Sequence, residues 1–535
     1  MPASASCGDR LKGVVRKLSS FCHSILERSP FLWASDLHAP NLDRENRPRS
    51  QRALRKVRTV EELIGGKLVN IFLRISSFVF VAICTLLQPS FAYGGSSILQ
   101  IVSGAHHTCV LVSEPPPANS SVQCWGYNDD DQLGNSTLGR NPSRTPVPVI
   151  HADGTKVTGV TALAAGQRHT CALMEDTSVM CWGSNTDGQL GNDSVPTRKS
   201  GPIIGYVPSP VPVVFAGTRS TTKLIGVRAL TAGAAHTCAI LAEPFPADSS
   251  VACWGSNIYG QLSNDGLGTG DVIVNSPVAV VFAETGGATK LTGVNALAAG
   301  GGHTCARLMD SSIACWGWNK HGQLGNGSTN DSNSPVAVGF FGLAGSGSFI
   351  KLTGTINLRA GGEAVDDGNE KDGSFTCSLL HEPPPLLSSI ACWGDNDNAG
   401  GELSNDTVGD YSSTPVAVVF GVTAGTLKLT GVKDLSVSTG YACAILGDSS
   451  VACWGSNVWG QLGNDGIATG IGSHSNSPIP VAYTGGSSKL TGATMLSTAA
   501  NHACAVVAPT LVMCWGDIAG VSSRIPTPVQ ITPTL

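Results

Sequence analysis

The sequence predicts an all-β fold, a seven-bladed β-propeller of four-stranded antiparallel blades preceded by a non-globular leader. Three observations carry that expectation. A Cys-Trp-Gly run recurs seven times, with its tryptophans at Trp125, Trp182, Trp254, Trp316, Trp393, Trp454 and Trp515. The mean step is about 65 residues, the mark of one supersecondary unit copied in tandem. Glycine is abundant (65) and proline common (30), while charged residues make up 13%. That balance suits many short strands and tight turns, not helices or disorder.

Residues 288–340 serve as the type repeat. Lys290–Gly300 reads as a first strand, His303–Leu308 as a second, Ser312–Gly317 as a third and Ser334–Val338 as a fourth. The runs are short, apolar and bounded by Gly, Asn, Asp and Pro. A Gly-Asn-rich turn, Asn319 to Asn326, joins the third to the fourth. Pro335 is expected at a strand entrance, where a missing N–H is tolerated.

The hairpin between the second and third strands can be registered from the cysteines. Antiparallel pairing about Asp310 sets Cys305 opposite Cys315, at a Cα separation of about 4.5–5.5 Å, which a disulfide tolerates. The same symmetry holds about Asp176, Asp448 and Pro509. Fourteen cysteines thus form seven local pairs: Cys109 with Cys124, Cys171 with Cys181, Cys238 with Cys253, Cys305 with Cys315, Cys377 with Cys392, Cys443 with Cys453 and Cys504 with Cys514. Because side chains alternate, each sheet carries a cystine on one face and a tryptophan on the other. Both faces must be covered, as they are when blades stack round an axis, and closure removes exposed edges. Each repeat either forms one blade or is offset by a strand, so that the two termini share one.

Three repeats, those of Cys109, Cys238 and Cys377, have longer hairpins with Glu-Pro-rich tips at Glu114, Glu243 and Glu382. These are expected as stiff acidic tips on one rim, on alternate blades.

The array spans 95–535 and is mildly acidic. Residues 1–74 hold 14 Lys/Arg against 7 Asp/Glu, and the remainder 19 against 31. The array lacks the basic stripe that nucleic-acid binding needs. Residues 75–92 read as a signal peptide: Lys67 and Arg74, then a 13-residue uncharged run over 75–87, then Pro89-Ser90-Phe91-Ala92. Cleavage is expected after Ala92; an uncleaved anchor is the alternative, although the run is short for a membrane span. The basic stretch 1–74 is either the product of a start site set too early, with translation beginning near Leu68 or Val69, or a cytosolic tail. Paired cysteines in an exported chain read as disulfides, which places the protein outside the cytoplasm: secreted, periplasmic or on the cell surface.

The run Ala-Gly-x-x-His-Thr-Cys-Ala-Leu … Val-x-Cys-Trp-Gly-x-Asn-x-x-Gly-Gln-Leu-Gly-Asn resembles the repeat of the regulator of chromosome condensation family. Trp182–Asn192, Trp316–Asn326 and Trp454–Asn464 match it well. The resemblance covers about 95–535 and implies a seven-bladed propeller. Its eukaryotic namesake is a nuclear guanine-nucleotide exchange factor for a Ran-type GTPase, and it binds chromatin. The export signal, the paired cysteines and the acidic array depart from that pattern. They look more like secreted bacterial members, one of which inhibits β-lactamase, that grip a protein partner with one propeller face.

His107, His169, His236, His303 and His502 recur at one repeat position, replaced by Phe375 and Tyr441. Those replacements argue for structural histidines, each satisfying a local backbone group, and against a metal ring. The cysteine spacings are too wide for a zinc knuckle. The seven tryptophans are core. Trp318 and Trp459 fall in the Trp-Gly-x-Asn turns and are expected as exposed contacts. The acidic insert 363–373 is expected as a solvated loop and not a Ca²⁺ site. The chain carries no Gly-x-Ser-x-Gly, His-Glu-x-x-His or phosphate loop. The reading is a non-catalytic, monomeric interaction propeller that needs no cofactor and binds a protein or a cell-surface polymer. The alternatives are an exchange factor for a small GTPase and a propeller lyase or hydrolase.

Overall fold

The computed structural model describes residues 96–535 apart from 117, 199–204, 216–221, 244–248, 283–288, 342–348, 363–372, 383–387, 397–400, 406–407, 421–426, 487, 519–524 and 534–535. The leader, the signal segment with Ala92, and the insert up to 372 lie outside the described residues.

Seven four-stranded antiparallel sheets follow one another along the chain, each with its strands in sequential order. Blade 4 has strands Val294–Ala299, His303–Leu308, Ile313–Gly317 and Ser332–Ala337, from the inside outward. The first strand is shorter than expected because Gly293, at φ +69°, turns the chain just before it. Lys290 belongs instead to the inter-blade link, where it bridges Val281. Pro335 lies inside the fourth strand and not at its entrance. That strand is the sheet's outer edge, where a missing N–H breaks no ladder. Blade 1 begins at Ile98 and blade 7 ends at Ile531, each with all four of its own strands. One repeat is therefore one blade, and the termini share none.

Hairpin register sets the cysteine pairing. In the short hairpins Cys171 stands opposite Cys181, Cys305 opposite Cys315, Cys443 opposite Cys453 and Cys504 opposite Cys514. In the long ones Cys109 stands opposite Cys124, Cys238 opposite Cys253 and Cys377 opposite Cys392. All seven pairs are bonded. Their Cα atoms lie 4.0–4.1 Å apart, closer than the separation of about 4.5–5.5 Å expected from strand pairing alone.

The alternation of cystine and tryptophan explains how blades stack. Trp393 of blade 5 packs on the cystine of Cys305 and Cys315 in blade 4, together with Leu324, Val338 and Leu358. Trp182 of blade 2 packs in the same way on Cys109 and Cys124 of blade 1. Trp254 lies on Cys171 and Cys181, and Trp316 on Cys238 and Cys253. Trp454 lies on Cys377 and Cys392, and Trp515 on Cys443 and Cys453. The last interface sets Trp125 of blade 1 on Cys504 and Cys514 of blade 7, closing the ring. The seven indoles and fourteen sulfurs are buried. The Gly-Gln-Leu-Gly turn serves the same interfaces. Trp393 Nε1 donates to the Gln323 carbonyl at 2.9 Å. A Cβ on Gly325 would stand 2.7 Å from that nitrogen, and Gly325 has φ +64°, so close approach and backbone conformation both call for glycine.

Candidate interaction face

Sequential strands give the ring two unlike faces. On one lie the hairpin tips between second and third strands and the links between blades. On the other lie the turns between first and second strands and the long loops between third and fourth. They are called the tip face and the loop face below.

The tip face is a repeated set of charge pairs. Glu243 accepts a hydrogen bond from the Ser250 hydroxyl and lies 3.4 Å from Lys290 of the following link. Glu382 does the same with Ser389 and Lys428 at 3.3 Å, and Glu114 with Ser121 and, at 3.9 Å, Lys156. These hydrogen bonds and the lysines beside them hold the Glu243 and Glu382 carboxyls below the usual range. The three glutamates expected as acidic tips therefore fold back onto their own hairpins. In the short hairpins Asp176, Asp310 and Asp448 each accept from the serine two residues on.

The central channel is narrow. Its loop-face mouth holds a cavity of about 90 Å³ ringed by Gly104, Gly166, Gly233, Gly300 and Gly361. Deeper, a cavity of about 310 Å³ is lined by small and apolar residues and Gln100, with Arg359 as its one charged lining residue among those described. Arg359 reaches Asp434 at 3.5 Å. Among the described residues lining this cavity no acidic side chain stands with Arg359, whereas a hydrolase or lyase site needs acidic and basic groups to converge.

Just outside the channel the recurrent histidines bind neighbouring blades. Nε2 of His107 lies 2.7 Å from Thr170 Oγ1, and His169, His236 and His303 reach Thr237, Thr304 and Thr376 at 2.8 Å. His502 closes the circle on Thr108 at 2.7 Å. The expected local backbone partner is thus corrected: the partner is the threonine hydroxyl of the next blade. Thr237, Thr304 and Thr376 donate onward to the Gln189, Gln261 and Gln323 carbonyls. They must therefore accept from Nε2–H, which fixes the tautomer of His169, His236 and His303, and their buried Nδ1 atoms, with no hydrogen-bond partner among the described residues, carry no proton in the neutral ring. Burial holds all five far below the usual range, His236 at about 4 and the other four at about 3.

The loop face presents side chains from a rigid, repeated turn. In blade 4 the Asn319 side-chain oxygen accepts from the Leu324 amide at 2.9 Å, and Gln323 Oε1 accepts from the His321 amide at 2.9 Å. The same two bonds recur in blades 1, 2, 3 and 6. The residue held by the glutamine varies: Asp130, Asp187, Tyr259, His321 and Trp459. In blades 1 to 4 these residues contact side chains of their own loop or of the next blade. Asp130 pairs with Arg168 at 3.2 Å, and Asp187 with Arg198 of its own loop, which also pairs with Asp271 of blade 3. Tyr259 stacks on Trp318 at 5.1 Å, and His321 lies 5.8 Å from Trp318 and 4.0 Å from Asp395. Trp318, expected as exposed, is consequently buried at 6%. Blade 3 supplies the tyrosine that covers it, which its own loop does not reveal. Trp459 is exposed at 38%. Tyr259 and His321 were not singled out from the sequence; the signal was their shared slot two residues before the Gln of Gly-Gln-Leu-Gly.

Residues 121–173, 176–240 and 312–349 match the regulator of chromosome condensation (RCC1) repeat, and a second model of that repeat matches 160–189 and 294–323. The matched residues make up about a third of the chain. It is similar to the ultraviolet-B receptor UVR8 of Arabidopsis thaliana, 30% identical over 245 residues, which are 46% of this chain and 47% of that protein. It is also similar to human protein RCC2, 25% identical over 48% of this chain and 46% of that one. The chain spans less than half the length of these curated relatives. Among solved structures, yeast RCC1 (Prp20) bound to Kap60 superposes with a TM-score of 0.53 at 15% identity, covering 83% of this chain and 86% of that one. Human WBSCR16 superposes at 0.52 and 18% identity, covering 76% and 94%. These two likenesses concern the fold alone.

Proposed function

We propose that this array of RCC1 repeats is an exported, non-catalytic interaction propeller that holds a protein partner against its loop face. The observation that carries the reading is the division between constant and variable residues on that face. In blades 1 to 4 and 6 the Asn and Gln that set the turn repeat, whereas the side chain the turn presents changes. Repetition serves the fold; variation at a rigidly held slot is what recognition of one partner requires.

Export rests on the cystines. Seven bonded pairs in one chain fit an oxidising compartment, whether secreted, periplasmic or cell-surface, and not the cytosol. The exchange-factor reading places the chain where these sulfurs would be reduced. The lyase or hydrolase reading lacks converging groups in the described channel.

Four measurements test the proposal. N-terminal sequencing of protein from its natural source is expected to begin at Tyr93, and alkylation with mass spectrometry to find all fourteen array cysteines paired. Reduction is expected to lower the melting temperature markedly, since a cystine contributes about 2–4 kcal/mol, less in short hairpins. A reduced, full-length cytosolic form defeats the export reading. Affinity capture from the natural extracellular milieu should recover a protein whose binding is lost when loop-face residues, but not tip-face residues, are changed.

A further inference from the structure

The two faces differ in the apolar surface they leave uncovered. Among the described residues the loop face exposes three large apolar side chains, Tyr411, Trp459 and Ile471, and the tip face exposes ten. Six of the ten fall in the sector of blades 4 and 5: Met309, Phe340, Ile350, Ile356, Phe420 and Leu427, each 36–65% exposed.

Backbone pairing joins these six. The link after blade 4 holds a small ribbon in which Phe340 stands opposite Ile350 and Gly339 opposite Lys351. The link after blade 5 repeats it, with Phe420 opposite Leu427 and Val419 opposite Lys428. The first ribbon packs against the outer strand of blade 5, Tyr411–Ala417, and that strand runs on through Val418 into the second. Ile356 and Met309 adjoin the first ribbon where it leads into blade 5. There the Thr355 amide donates to the Ser311 carbonyl at 3.3 Å, on the hairpin tip that carries Met309. Arg307 ties the same segments, its Nη1 donating to the Thr355 carbonyl at 3.1 Å and to that of Ile356.

A joined apolar patch marks a binding surface, and its charge indicates what it binds. The array as a whole is acidic, but this sector reverses the sign. Arg307, Lys351, Arg359, Lys428 and Lys433 stand against Asp310, Glu382 and Asp434. Residues 342–348, 383–387 and 421–426, within the same links and tip, add no charge. Apolar groups flanked by exposed lysines suit the interface of an anionic bilayer. The apolar groups enter the acyl boundary while the ammoniums stay among the phosphates. The course of the chain points the same way. The first strand starts on the tip face at Ile98, and ten residues separate Ile98 from the apolar run 75–87, a reach of about 35 Å at most. When that run is embedded in a membrane, during export or in an uncleaved chain, its tether meets the ring on this face.

We infer that the tip face of blades 4 and 5 rests on an anionic phospholipid bilayer. Phe340, Ile350, Phe420 and Leu427 enter the interface, and Lys351 and Lys428 meet lipid phosphates. The loop face then points away from the membrane, toward its partner. The inference concerns the opposite side of the ring and goes beyond the reading of the loop face.

The ring closes on itself within 98–531, so the test uses oxidised Tyr93–Leu535, without the apolar run. Co-sedimentation is measured with vesicles of phosphatidylcholine and phosphatidylglycerol in equal parts, and with phosphatidylcholine alone. The protein is expected to bind the mixed vesicles, more weakly as salt rises, and the neutral ones less. F340S/I350S and F420S/L427S are each expected to lower partitioning about tenfold or more, the scale of withdrawing two large apolar groups. K351E is expected to weaken binding to the mixed vesicles only. W459S/I471S, on the loop face, is expected to leave binding unchanged. No binding to the mixed vesicles, or an equal loss in W459S/I471S, overturns the inference. Labelling of the unaltered protein guards against variants that misfold. A lipid with a photoreactive group in its acyl chain is expected to mark residues within 340–350 and 420–427, and marks confined to other segments overturn the inference as well. So does a captured protein whose binding is lost in F340S/I350S while vesicles are ignored, which makes the patch a protein interface. None of these failures touches the loop-face reading, which is tested by partner capture on the other side of the ring.

Discussion

Blade 5 meets its two neighbours by opposite means. Toward blade 4 it offers Thr376, which lies 2.8 Å from Nε2 of His303 and donates on to the Gln323 carbonyl. Toward blade 6 it offers Phe375, at the position of the histidines, which packs in one buried cluster with Ala442. Ala442 stands where other blades have threonine. Donor and acceptor are replaced together, so neither is left buried alone. Removing both partners of a buried hydrogen bond costs little, whereas removing one leaves the other unsatisfied. The next interface takes a third course. Tyr441 donates its hydroxyl to the His502 carbonyl at 2.5 Å, and Ala503 leaves room for the longer ring. The ring needs a buried contact at that place in each interface, and polar or apolar chemistry serves when both sides agree.

Acid breaks this equivalence most strongly. The five imidazoles are neutral in the fold, with pKa values of about 3 to 4 because burial disfavours their charge. In the unfolded chain they titrate near 6.5. Between those values the unfolded chain binds more protons, so stability falls as pH falls. The stabilisation is complete above about pH 6.5 and is lost progressively toward pH 3. Each histidine contributes about 1.4 kcal/mol per pH unit in that window. Denaturant titrations from pH 7 to 4.5 are expected to show a steep loss, and H303F/T376A to be shallower by one proton. An unchanged slope in that variant would mean that other groups dominate acid unfolding.

A double-mutant cycle at neutral pH separates the two designs with a smaller effect. H303F alone leaves Thr376 facing an aromatic ring and is expected to cost about 1–3 kcal/mol. T376A alone leaves the His303 Nε2–H unpaired and should cost a similar amount. H303F/T376A copies the interface of Phe375 with Ala442 and is expected to cost clearly less than the sum, with a coupling of about 1 kcal/mol or more. The converse change, A442T, buries a hydroxyl beside Phe375 and should destabilise. Additive losses would show that the replaced pair at blades 5 and 6 is a coincidence of sequence.

The comparison also marks what the sequence can disclose. Pairing within a blade was legible because strand alternation and hairpin symmetry act over ten or fifteen residues. Cys305 opposite Cys315 follows from the spacing alone, and with it the cystine on one face and Trp316 on the other. Contacts between blades were not legible in the same way, because they join residues one repeat apart whose approach depends on how blades are angled. His303 finds its partner 73 positions on, and Trp318 is covered by Tyr259 of the preceding blade. The trace left in the sequence was the joint loss of histidine and of the threonine after the next one, at Phe375 with Ala442 and at Tyr441 with Ala503. At Glu114, Glu243 and Glu382 the sequence placed acidic tips on alternate blades but did not disclose that each glutamate accepts from a serine on its own hairpin and faces a lysine from the following link.

The closing interface supplies the finest distinction. Six tryptophan indoles donate to the carbonyl of a Gln or Glu in the preceding blade, at 2.8–3.0 Å. Trp125 sits on the cystine of blade 7 as the others sit on theirs, but its Nε1 has no partner among the described residues. After Trp515 the chain reads Gly-Asp-Ile-Ala-Gly and lacks the Gly-Gln-Leu-Gly turn whose carbonyl would serve. Phenylalanine keeps much of the apolar ring and removes the donor. W393F is therefore expected to cost the Gln323 bond as well as some packing, about 1 kcal/mol more than W125F, which loses packing alone. Thermal melts of the two oxidised variants measure the difference. Equal losses would mean that Trp125 is hydrogen-bonded as the other six indoles are; a smaller loss at Trp125 identifies the junction of blades 7 and 1 as the one held by packing, the bond of His502 to Thr108 and the Ile98 amide on the Pro509 carbonyl at 2.7 Å.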